Sequence, residues 1–98
     1  MKTLYFNANT EQKNALIGLA YRIADNAYMV ERYGTEETKM ERADNHKTIM
    51  LLFDQLDALR VPFWVQNSVI CAAENWREYK SGAIISRLEK RNIHGVHF

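Results

Sequence analysis

The chain has 98 residues, 47% hydrophobic and 26% charged, which is enough for one core and too little for two independent ones. A formal net charge of +1 gives no overall attraction to nucleic acid, and the lone Cys71 excludes an intramolecular disulfide and a Cys-based metal site. No window approaches the roughly 18–20 apolar residues of a membrane span. The stretch Met1 to Asn7 lacks the apolar run of a signal peptide, so the expectation is one cytoplasmic helical domain over residues 1–98.

The first expected helix runs from Thr10 to Tyr33, with Asn9 or Thr10 as N-cap and Gly34 at its C′ position. Leu16, Ala20, Ile23, Ala27 and Val30 recur at 4-3-4-3 spacing and line one face. Gly18 sits inside this helix at a propensity cost of about 1 kcal/mol against Ala, which reads as a demand for close packing.

Thr35 is the expected cap of a second helix over 36–60, with Glu36 and Glu37 complementing its dipole. Its first half is polar, with Met40 and Ala43 as the apolar exceptions, and Asp44-Asn45 marks a place where it would break if it broke. The reading here is one continuous helix. Its second half carries a wide stripe of Ile49, Leu52, Phe53, Leu56 and Leu59. A very short turn at Gly34 implies that the first two helices are antiparallel neighbours.

Val61-Pro62 ends the second helix, because the residue before Pro is pushed out of the α region. Pro62 then opens the third helix at its first turn, or that helix starts at Asn67 after an extended 61–66 stretch. Val65, Val69, Ala72, Trp76 and Tyr79 keep the 4-3-4-3 spacing, and Ser81-Gly82 interrupts it. A last helix from Ala83 to about Arg91 would bury Ile84, Ile85 and Leu88. Leu4-Tyr5-Phe6 and Val96-His97-Phe98 are short, apolar and β-tolerant, and are expected to pack or pair together against the helices. The fold class expected is therefore all-α, a three- to four-helix bundle on a long antiparallel helical hairpin with short extended termini.

Catalytic and cofactor signatures are absent from the chain: no phosphate-cradling Gly-rich loop, no H-E-x-x-H, no C-x-x-C and no G-x-S-x-G. Cys71 lies in Val69-Ile70-Cys71-Ala72-Ala73 without an adjacent cation to stabilise a thiolate, and reads as a buried, inert thiol. His94 and His97 form an H-x-x-H around Gly95 with no third ligand in view, and His46 reads as a solvated helix residue, so no metal or cofactor is expected. Glu36, Glu37, Glu41 and Asp44 cluster, but with Lys39, Arg42 and Lys47 among them they read as a solvated, salt-bridged helix face.

Two surfaces remain. Val61, Phe63, Trp64 and Val65 cannot all enter a core from one boundary segment, so Phe63 and Trp64, with Met40 on the polar half of the second helix, are candidate contacts for a protein partner. Residues 1–57 carry seven basic against nine acidic residues, a net of −2, while 58–98 carry six against three, a net of +3. Arg77, Lys80, Arg87, Lys90 and Arg91 make the basic part of that C-terminal excess, the alternative being a nucleic-acid contact with Trp76 and Tyr79 for stacking. A helix-turn-helix fits poorly, because Phe63-Trp64-Val65 would open the recognition helix where base contacts need polar side chains. The sequence thus points to a non-enzymatic interaction module, regulator or inhibitor that occupies a partner's surface, with homodimerisation a natural way for so small a chain to bury more apolar area. An origin on a phage or mobile element is compatible with such a module, though no residue demonstrates it.

Overall fold

In a computed structural model the described residues are 5–74 and 95–97. They form, in order, β1 (Phe6–Asn7), α1 (Thr10–Tyr33), α2 (Lys39–Ala58), α3 (Phe63–Glu74) and β2 (Val96–His97). Helix accounts for 77% of the described residues, which makes the class all-α. The expected last helix over 83–91 lies outside the described residues.

α1 starts where a reciprocal pair of bonds satisfies the first turn. The Asn9 side chain accepts from the Gln12 backbone N–H at 2.8 Å, and the Gln12 side-chain oxygen accepts from the Asn9 N–H at 2.9 Å. The same Gln12 side chain donates from Nε2 to the Leu59 carbonyl at 3.0 Å, tying the start of α1 to the end of α2. α1 stops at Gly34, whose φ of 89° and ψ of 170° belong to a region that side chains other than glycine's essentially do not enter.

α2 begins three residues later than the sequence suggests. Residues 35–38 are a turn, and Thr38, not Thr35, occupies the cap position. The Thr38 hydroxyl caps nothing: it donates to the Gly34 carbonyl at 2.8 Å and accepts from Arg42 Nε at 3.1 Å. Arg42 also donates from Nη2 to the Thr35 carbonyl at 2.7 Å, so its guanidinium is committed to the turn and not to the neighbouring acids. Past this latch the helix is continuous through Asp44.

The end of α2 is a Schellman motif. The Val61 N–H reaches back to the Leu56 carbonyl at 3.0 Å and the Arg60 N–H to the Asp57 carbonyl at 3.0 Å. Arg60 takes the left-handed position with φ 59°, and Leu56 and Val61, the apolar pair of the motif, are both buried. α3 then opens at Phe63, directly after Pro62, whose carbonyl accepts from Val65 and Gln66. Of the two starts the sequence allowed, this is the earlier.

α1 is central and packs against both α2 and α3. The core comprises Ala15, Leu16, Leu19, Ala20 and Ala24 of α1, Ile49 and Leu56 of α2, Val61, Val65, Val69 and Ala73 around α3, and Val96 of β2. The α1 face is therefore rotated from the expected stripe. Leu16 and Ala20 belong to the core, Ile23 and Ala27 are half-buried, and Val30 is exposed. Gly18 faces Leu52, and a Cβ built on it would lie 3.5 Å from both Leu52 methyls, an ordinary contact. Close helix approach does not require the glycine.

β1 and β2 pair in parallel, Phe6 against Val96 and Asn7 against His97. The Phe6 N–H donates to the Gly95 carbonyl and the Ala8 N–H to the His97 carbonyl, each at 2.8 Å. So short a pair is marginal alone; here Val96 is fully buried and Phe6 packs against the core, which supplies the apolar contact the ladder lacks.

Candidate interaction surface

Between α1 and α2 lies a polar knot in an otherwise apolar seam. Asn45 is 5% exposed on the inward face of α2. Its amide donates to Asn26 Oδ1 at 2.7 Å and to Asp25 Oδ2 at 3.0 Å, and its oxygen accepts from Arg22 Nη1 at 2.9 Å. Among the described residues no buried side-chain nitrogen or oxygen lacks a partner. Such a satisfied group costs little where it sits and heavily penalises sliding of one helix along the other, because any other register strands it. The knot thereby favours one register between α1 and α2.

The outer faces are unusually apolar in places. Met40 is 80% exposed, Phe63 79%, Leu51 68% and Met50 50%, with Tyr5 and Tyr33 also largely open. Two of the three residues expected at a partner contact, Met40 and Phe63, are thus at the surface. Trp64 is half-buried and packs against the core, so the aromatic pair splits between inside and outside. Met40 and Phe63 are not brought together: Met40 lies in the first turn of α2 and Phe63 beyond its last, separated by a helix of about 27 Å. Met50 and Leu51 escaped the sequence reading, although the stripe Ile49, Leu52, Phe53, Leu56 left them on the far side.

A groove of about 550 Å³ runs beside α1, floored by Ile23, Ala27 and Val30 and bordered by Glu31, Arg42 and Glu74. Cys71 is exposed, contrary to the expectation of a buried thiol. Its apolar neighbours misled, since Cys71 lies eight residues after Phe63 and shares the outward face of α3 with Asn67. His97 packs its ring on Tyr5 with centroids 4.4 Å apart, while His94 lies outside the described residues. Among the described residues no three His, Cys, Asp or Glu side chains converge as a metal site, and no helix is long and apolar enough to cross a membrane. The basic set Arg77, Lys80, Arg87, Lys90 and Arg91, with Trp76 and Tyr79, falls outside the described residues. No family model, curated protein or solved structure matches the chain.

Proposed function

We propose that this protein is a non-enzymatic interaction module that acts by occupying the surface of a protein partner. The observation that carries the reading is Phe63, a large aromatic ring left 79% exposed at the first turn of α3 while its neighbours Val61, Trp64 and Val65 turn inward. Exposing such a ring forgoes burial worth about 2 kcal/mol, and rings in that position commonly serve as interface anchors. The scaffold in this reading is an antiparallel hairpin of α1 and α2 with α3 packed on α1. Three contacts along its length support that direction: Gln12 with Leu59, Gly18 with Leu52, and Arg22 with Asn45.

The test is affinity capture from the native host's lysate with the wild-type chain beside Phe63→Ser and Met40→Ser. The expected result is a specific partner whose affinity falls about tenfold or more with Phe63→Ser, while the melting temperature stays unchanged. Capture that is indifferent to both substitutions, or no specific partner for the folded protein, would refute the reading.

A further inference from the structure

The outward face of α2 has a pattern that an isolated helix has no use for. Ala43, Lys47, Met50, Leu51, Asp54 and Ala58 are all exposed. At about 100° per residue they fall within roughly 50° of a single line, directly opposite the inward residues Asn45, Ile49, Leu52 and Leu56. From Ala43 to Ala58 the sequence of this line is symmetric about the point between Met50 and Leu51. Three residues before Met50 stands a lysine and three after Leu51 an aspartate, and a further four out in either direction stands an alanine.

That symmetry is the property an isologous interface requires, in which one patch must complement itself under a two-fold axis. With two copies of α2 crossing antiparallel at that point, Leu51 of one copy meets Met50 of the other. Lys47 faces Asp54, Asp54 faces Lys47, and each Ala43 meets an Ala58 whose small side chain lets the helices close. A parallel arrangement would set Lys47 against Lys47 and Asp54 against Asp54, so the charges select the antiparallel one. We infer that the outer face of α2 is a homodimer interface, its occupant a second copy of this chain in antiparallel orientation.

The area sets the strength. A helix seam about 22 Å long and about 10 Å wide falls short of the roughly 800 Å² per partner of a standard stable interface. The dimer is therefore a weak, reversible one. It names a partner for the interaction module proposed above; Met40 lies on the same outward line of α2, whereas Phe63 lies on α3, so Phe63→Ser and Leu51→Glu are the pair that separates the two readings.

Sedimentation velocity of the full chain, over a concentration series reaching about 200 µM, tests it. The wild type should pass reversibly from monomer to dimer, and Leu51→Glu should weaken the association about tenfold or more while circular dichroism stays unchanged. K47D alone and D54K alone should each weaken it about tenfold, since each sets like charges face to face. An equimolar mixture of the K47D and D54K variants should recover association as a heterodimer, because acid then faces base at both positions. Phe63→Ser should leave the dimer intact. A wild type that stays monomeric throughout, a dimer that ignores Leu51→Glu, or a mixture no better than its separate components would overturn the assignment.

Discussion

Replacing Asn45 with aspartate alters one group in the seam between α1 and α2 and nothing in its shape. The amide nitrogen that donates to Asn26 at 2.7 Å and Asp25 at 3.0 Å becomes a carboxylate oxygen. Two hydrogen bonds are lost, about 1 kcal/mol each. The new oxygen also stands against the Asp25 carboxylate, where two like charges about 4 Å apart repel by about 4 kcal/mol at an effective dielectric of 20. Arg22 offsets part of this, since its bond to residue 45 becomes charge-assisted and gains about 1–2 kcal/mol. The net is a destabilisation of about 4–5 kcal/mol at neutral pH, set against a total of about 5–15 kcal/mol for a domain of this kind.

At about 4–8 °C per kcal/mol, the melting temperature of Asn45→Asp should fall by about 16–40 °C. The loss should also depend on pH in a known direction. Protonation at residue 45 removes the repulsion from the folded variant alone, so the folded state takes up that proton more readily than the unfolded chain. Relative stability therefore rises as pH falls, and the gap to wild type should narrow as pH approaches about 4. Thermal melts at pH 7 and pH 4.5 measure both effects. A drop of under about 2 °C at pH 7, or a drop equal at the two pH values, would refute the assignment of the knot.

Two stabilising substitutions follow from the helix geometry. Gly18→Ala places a methyl in ordinary contact with Leu52 and adds helix propensity, so it should stabilise by about 0.5–1 kcal/mol and raise the melting temperature by about 2–6 °C. Arg60→Gly relieves a side chain held at φ 59° and should raise it by about 2–6 °C, the relief of about 1–2 kcal/mol outweighing the entropy glycine adds to the unfolded chain. Calorimetry of each single variant checks both, and a lowered melting temperature in either would show the local geometry to be wrong.

Local chemistry made α1 readable from end to end. An Asn followed three residues later by Gln builds its cap, and Gly34 supplies the backbone conformation that stops it. Pro62 left two starts open for α3, at Pro62 or at Asn67, and the structure takes the earlier. The start of α2 was not readable, because Thr35 and Thr38 are equally good caps on paper and the choice is made by Arg42 reaching back to the turn. Nor was the left-handed Arg60, since an arginine carries no sign of that conformation and the motif is specified by the burial of Leu56 and Val61 around it. Asn45 did leave a trace. It continues the Ile49, Leu52, Leu56 spacing backwards by four residues, and a polar residue on an apolar stripe asks what satisfies it. The surface was legible in part: Phe63 and Met40 follow from apolar residues in polar or overcrowded surroundings, whereas Trp64 and Phe63 cannot be told apart by composition alone. Which of two adjacent aromatics turns inward depends on the direction of the first helical turn.

The parallel pairing of Phe6 with Val96 also bears on how the molecule assembles. It joins positions 90 residues apart, and closing a loop of that length costs about 4 kcal/mol of chain entropy before any contact forms. The ladder on its own returns less than that, so it forms only against a helical core that already exists. It should close last during folding and open first under mild destabilisation, with the Phe6 and Ala8 amides exchanging hydrogen well before those in the middle of α1. In kinetic terms the two strands are a clasp, set after the helices have found their register and released without disturbing it.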